Sequence, residues 1–223
     1  SSAFDIDIIK NLYSENKLQK DILIICNGFK RPQYVTNIIN LINDGFENCT
    51  PILDHINEIK LYRDHISKDF KIGIRCASDE EPQFQFYTSR LGIRYTDIVD
   101  HYINEIAPYP NIKLTTLHFF INSGIKDSSY YWSELNRLVH KYCDLKKVCP
   151  ELDTLDIGGG FPIKTSLTFD YDFEYIVAEI IKTIQRICKE NNVPEPNIIT
   201  EFGSYTVSES GAMLYSILDQ KLQ

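Results

Sequence analysis

LDIGGGFP, running from Leu155 to Pro162, is the stretch that decides how this chain is read. Three consecutive glycines directly follow a short apolar segment, Leu152 to Ile157. Apolar runs without strict alternation suit strands buried on both faces, as in a parallel sheet. Glycines placed there let the backbone approach a ligand closely and offer successive N–H groups as an anion nest, with phosphate the natural guest. A plain strand-to-helix turn would need only one of them. The spacing departs from the dinucleotide fingerprint G-x-G-x-x-G, which would want glycine at Ile163 and normally opens an α/β domain. A glycine turn late in a βα series instead matches barrels that bind phosphate after their last strands.

The flanking sequence repeats the same grammar. Strand candidates precede and follow the motif at Asp21–Cys26, Thr50–Leu53, Phe70–Arg75, Leu114–Ile121 and Asn197–Glu201, each short, apolar and followed by a polar or glycine-bearing stretch. Amphipathic helices lie between them. Phe173, Ile176, Val177, Ile180, Ile181, Ile184 and Ile187 form one stripe, Trp132, Leu135, Leu138, Val139, Tyr142 and Leu145 a second, and Tyr34, Ile38, Ile39, Leu41 and Ile42 a third. Packing onto a sheet explains all three stripes. Strands alternating with helices predict an α/β fold. A closed (β/α)8 barrel needs eight strands, and six are visible, so residues 1–223 read as one partial barrel domain. Ser2 with Asp5 reads as an N-cap entering a helix over Ile6–Tyr13, which places an expected preceding strand before Ser1.

Composition narrows the function classes. At 223 residues, 43% hydrophobic and 24% charged, the chain is ordinary globular material and not disordered. Its net charge of −8 argues against nucleic acid or an anionic membrane as the main partner. No signal peptide or membrane-spanning run is visible, and the expectation is a soluble, cytoplasmic protein. Cys26, Cys49, Cys76, Cys143, Cys149 and Cys188 are scattered without CxxC or zinc-ligand spacing, so they read as reduced, mostly buried small hydrophobes. The five histidines are equally dispersed, and no metal site is predicted.

Other candidates sit at strand ends. Glu201, in TEFGSYTV, stands where a strand becomes loop on the face that parallel barrels use for catalysis, with Gly203 two residues on. It reads equally as an N-cap or loop acid. Glu209 with Gly211 repeats the pattern more weakly. In LHFFINSGI, Phe120 reads as a core or a stacking residue, His118 as a core or a catalytic histidine, and Asn122, Ser123 and Gly124 form a permissive loop. Arg75 is a charge ending an apolar strand, hence expected to be partnered, with Asp156 as its expected mate.

Together these motifs resemble the pyridoxal-phosphate-dependent decarboxylases with an alanine-racemase-like barrel. LDIGGGFP is similar to the glycine loop of the ornithine, diaminopimelate and arginine decarboxylases, and TEFGSYTV to their E-P-G-R segment. ICNGFK (Ile25–Lys30), SRLGIR (Ser89–Arg94) and LHFFINSGI more closely resemble the biosynthetic arginine decarboxylases, and the motifs keep the family's order along the chain. The resemblance implies a (β/α)8 barrel and pyridoxal phosphate as cofactor. Gly158, Gly159, Gly160, Ser123 and Gly203 would hold its phosphate, and Glu201 its ring nitrogen. Phe120 would stand at the ring-stacking position, usually histidine. Asp156 and Arg75 would lie near the imine, and Asn27 on the same rim. Ser204 replaces the usual arginine. The Schiff-base lysine would precede Ser1, so no catalytic residue is assigned within the chain, with Lys30 the weak alternative. The resemblance further implies L-arginine as substrate, agmatine for polyamine synthesis as product, and a homo-oligomeric parent enzyme, with the fragment inactive alone. Magnesium is associated with the family, but no oxygen-ligand cluster here argues for it. Alternatives are ornithine, lysine or diaminopimelate as substrate, or a non-catalytic module that binds pyridoxal phosphate or another phosphorylated ligand.

Overall fold

A computed structural model describes residues 2–78, 91–121, 124–164, 168–211 and 216. In chain order the elements are α1 (Ala3–Ser14), β1 (Ile24–Cys26), α2 (Pro32–Asn43), β2 (Cys49–Leu53), α3 (Lys60–Arg63), β3 (Phe70–Ala77) and β4 (Ile93–Arg94). There follow α4 (Ile98–His101), β5 (Ile112–His118), α5 (Ser129–Lys146), β6 (Thr154–Asp156), α6 (Phe173–Asn191), β7 (Asn197–Ile199) and α7 (Gly203–Val207). All six strands expected from the sequence are present. Every pairing is parallel in the order β1-β2-β3-β5-β6-β7, with β4 beside the end of β3. At two residues, β4 is too short to leave a pattern in the sequence.

Register explains how one sheet carries both a core and a site. Ile74, Leu117, Leu155 and Ile198 form one row across β3, β5, β6 and β7. The first three are wholly buried beneath the helices. The rows of opposite parity are largely polar: Gly73, Thr116, Thr154 and Asn197, then Arg75, His118, Asp156 and Ile199. Side chains alternate faces along a strand, so these polar rows share the inner face. Gly73 suits the crowding there, because a Cβ would meet the tip of the Ile52 side chain and come within 3.1 Å of Thr116.

The sheet is curled. Laid flat, six strands would hold their edges about 24 Å apart. Yet the amide of Asn27, just past β1, donates to the carboxylate of Glu201, just past β7. The two edges therefore face each other across the C-terminal rim, in a half-barrel whose inner face is the polar one.

The helices follow their predicted faces. Ser2 caps α1, its backbone N–H donating to Asp5 Oδ2 at 2.6 Å. In α6 the buried stripe is narrower than the sequence predicts: Ile176, Ile180, Ile184 and Ile187 are buried, but Val177 and Ile181 are exposed. They lie on the flank turned away from α5, whose Asn136 meets Arg186 of α6 at 3.4 Å. All six cysteines are buried and free, with the Cys26 and Cys49 sulfurs 3.8 Å apart. Among the described residues no helix is long and apolar enough to cross a membrane.

Candidate active site

Three strand ends converge on the rim. His118 closes β5, Asp156 closes β6, and Glu201 follows β7; one atom from each lies within 4.8 Å of the other two. Asp156 is fully buried, and His118 nearly so. His118 Nδ1 stands 3.3 Å from Asp156 Oδ2, but neither atom makes an aligned hydrogen bond. Asp156 Oδ1 accepts from the Gly158 N–H at 2.9 Å. Desolvation, and then the charge of Asp156, push the Glu201 carboxyl above the ordinary carboxylate range; His118 and the Asn27 amide oppose the shift. The site thus holds two acids close together, one of them poised to gain from a cationic partner.

The glycine loop is clamped by its neighbours. Glu201 N–H donates to the Gly158 carbonyl at 2.8 Å, and Ile125 N–H to the Gly160 carbonyl at 3.0 Å. A Cβ on Gly159 would collide with the Glu201 carbonyl, and one on Gly160 would come within 2.7 Å of Gly124 Cα. Gly158 and Gly160 also have φ of +68° and +101°, torsions that side chains disfavour. Each glycine therefore has a separate steric reason. The anion-nest expectation needs one correction: the Gly158 N–H is occupied by Asp156, which leaves Gly159 and Gly160, whose N–H groups have no acceptor among the described residues.

Arg75 requires a second correction. It shares a row with Asp156, but His118 stands between them, and among the described residues no ion pair joins the two. Asp156 faces His118, and the Arg75 guanidinium lies 5.6 Å from the Phe120 ring centre. Phe120 is 37% exposed, a rim residue and not a core one. Gly203 N–H donates to the Glu201 carbonyl at 2.8 Å, and Ser204 is exposed in α7. Asn122 and Ser123, with Ser89 and Arg90 of the SRLGIR segment, lie outside the described residues, as does the Glu209 side chain.

Lys30 is placed in a way sequence reasoning missed. It is buried, with its Nζ 2.8 Å from the Gly28 carbonyl, 2.5 Å from the Ile52 carbonyl and 2.9 Å from Glu58 Oε1. An ammonium has three donors, and all three are taken, which leaves it no freedom to serve as an imine-forming amine. Glu58 also went unrecognised as a member of the site; Asn27 is expected on the rim, but its contact with Glu201, 174 residues away, has no local signal.

A separate cavity of about 700 Å³ lies past the glycine loop, lined by Pro162, Lys164, Phe169, Tyr171, Phe173 and Tyr205 among others. It contains none of the converging side chains.

The donor set suits a ligand with a phosphate and a protonated aromatic nitrogen: two free glycine N–H groups for the anion, and a carboxylate beside a second acid for the cation. Comparison with known proteins agrees. Residues 21–208 match the family model described as pyridoxal-dependent decarboxylase, pyridoxal binding domain, and the chain belongs to this family. It is a pyridoxal-phosphate-binding barrel domain. The biosynthetic arginine decarboxylase of Geobacter sp. (strain M21) is 25% identical over 218 residues, covering 90% of this chain and 34% of that protein. The chain thus spans about a third of the length of the curated relatives it matches. The lysine decarboxylase of Selenomonas ruminantium superposes with a TM-score of 0.71 at 18% identity, over 92% of this chain and 49% of that one. Diaminopimelate decarboxylase from M. jannaschii, in complex with L-lysine, gives 0.71 at 20% identity, over 92% and 47%. At such identities the structural matches speak for the fold alone.

Proposed function

We propose that this chain is the cofactor-holding part of a decarboxylase that converts L-arginine to agmatine. The observation that carries the reading is the meeting of Glu201 with Asp156 and His118 beside the clamped glycine loop. Bound pyridoxal phosphate supplies the electron sink that accepts the pair left when carbon dioxide departs. The chain's own residues then have distinct tasks. Gly159 and Gly160 offer N–H groups to the phosphate, with Ser123 and Gly203 as the further contacts the resemblance implies. Glu201 holds the proton on the ring nitrogen, because its negative charge, with Asp156 close beside it, favours a cationic ring. Phe120 offers a ring face, with the Arg75 guanidinium 5.6 Å from its centre.

Arginine is preferred to lysine, ornithine or diaminopimelate because the curated sequences this chain matches, that of Geobacter sp. (strain M21) among them, are biosynthetic arginine decarboxylases. A panel of these four amino acids with the full-length protein tests the substrate: carbon dioxide released fastest from arginine supports the assignment, and a faster rate on any other overturns it.

Titrating the purified chain with pyridoxal phosphate, followed by borohydride reduction and mass analysis, tests the cofactor role. The expected result is saturable, non-covalent binding that Gly159→Asp abolishes and Glu201→Ala weakens. A reduced adduct on Lys30, or no binding at all, would sink this assignment of residues.

A further inference from the structure

We propose that Lys30 and Glu58 are positioning residues that hold the Asn27 amide against Glu201. The buried pair does more than neutralise itself. Through Lys30 it grips the carbonyls of Gly28, after β1, and Ile52, in β2. Through Glu58 it accepts the Asp54 N–H at 2.8 Å and the Tyr62 hydroxyl at 3.3 Å. Side-chain exposures of 1% and 2% keep water from replacing any of these bonds. The loops after β1 and β2 are thereby tied into one unit.

Gly28 is the link to the site. Its φ is +78°, while a Cβ there would meet nothing within 4 Å, so the position demands a torsion and not space. That torsion turns the carbonyl inward to Lys30. Asn27 precedes it directly, so the same torsion aims the Asn27 side chain across the rim, where its amide donates to Glu201. A buried ion pair is a poor source of net stability, because desolvation offsets the attraction. What this one supplies is a fixed geometry for the loop, and through it a fixed carboxylate. The consequence for cofactor binding rests on Glu201 being the ring-nitrogen partner; the placement of Asn27 does not.

The test reads the Asn27 side-chain amide by NMR in chain labelled with 15N-asparagine. In an otherwise wild-type chain, Glu201→Ala should shift this signal, which identifies the bond. Lys30→Met/Glu58→Gln, which removes both charges together, should move the signal to the same released position. Gly28→Ala should do so as well, and it leaves the buried pair intact, which covers the case in which the double variant does not fold. In either folded variant, pyridoxal phosphate should bind roughly tenfold more weakly, the loss expected for one hydrogen bond to a charged group. Adding Asn27→Ala should weaken it no further. An Asn27 signal that stays in place in the folded variants overturns the proposal. Failure of the ring-nitrogen reading looks different: Glu201→Ala would bind pyridoxal phosphate as tightly as wild type, while the Asn27 signal still responds to the pair.

Discussion

Glu201 is held in an environment that opposes its own charge. Desolvation and Asp156 raise its pKa in the folded chain above the unfolded value of about 4.3. Between those two values the native state binds more protons than the unfolded one. Stability contributed by this group is therefore fully present below about pH 4.3 and lost as pH rises through the folded value. Glu201→Gln should accordingly raise the melting temperature at pH 7, and the advantage should vanish near pH 4. Equal shifts at both pH values would refute the electrostatic account. Such a penalty is typical of sites that trade stability for function. The residue itself was visible as an acid at a strand end. Its neighbours were not: the expected Arg75–Asp156 pair gave way to Asp156–His118, because register, which local sequence does not encode, inserts His118 between them.

The elements were more legible than the contacts, since periodicity and caps are local. The stripe of α6 and the Ser2 cap of α1 were both readable, as were six strands. Asp172 caps α6, accepting from the Tyr175 N–H at 2.9 Å, in an exposed setting where the bond can be tested cleanly. Asp172→Ala should cost about 1 kcal/mol, a drop of roughly 2–4 °C in Tm for a chain of this size. Thermal melts of the two forms decide it, and an unchanged Tm would mean the cap contributes nothing. Where reading the elements failed, the reason was contextual. Val177 and Ile181 carry the right period but sit on a flank that α5 leaves open.

Across the whole molecule, acid sensitivity should have an identifiable source. His101 closes α4, only 4% exposed, and both ring nitrogens lack a hydrogen-bond partner among the described residues. Burial lowers its pKa below the unfolded value of about 6.5. The unfolded chain then binds the proton first, so stability is full above about pH 6.5 and falls as pH drops toward the folded value. Melting curves between pH 7 and 5 should show this slope, and His101→Leu should flatten it. An identical slope in the variant would place the acid sensitivity elsewhere. At this scale the curled sheet also matters, since it brings the rim ends of β1 and β7 together through Asn27 and Glu201.

The sequence by itself determined the α/β alternation, the parallel strands, the glycine loop and Glu201 at a strand end. These are written in spacing and residue type within a few positions. Tertiary structure alone decided which groups meet. Asn27 reaches Glu201 because the sheet curls, and Lys30 is withdrawn from chemistry because Glu58 is buried beside it. His118 faces Asp156 because adjacent parallel strands lie in register. Such contacts join residues tens to hundreds of positions apart, and only the folded chain brings them within reach.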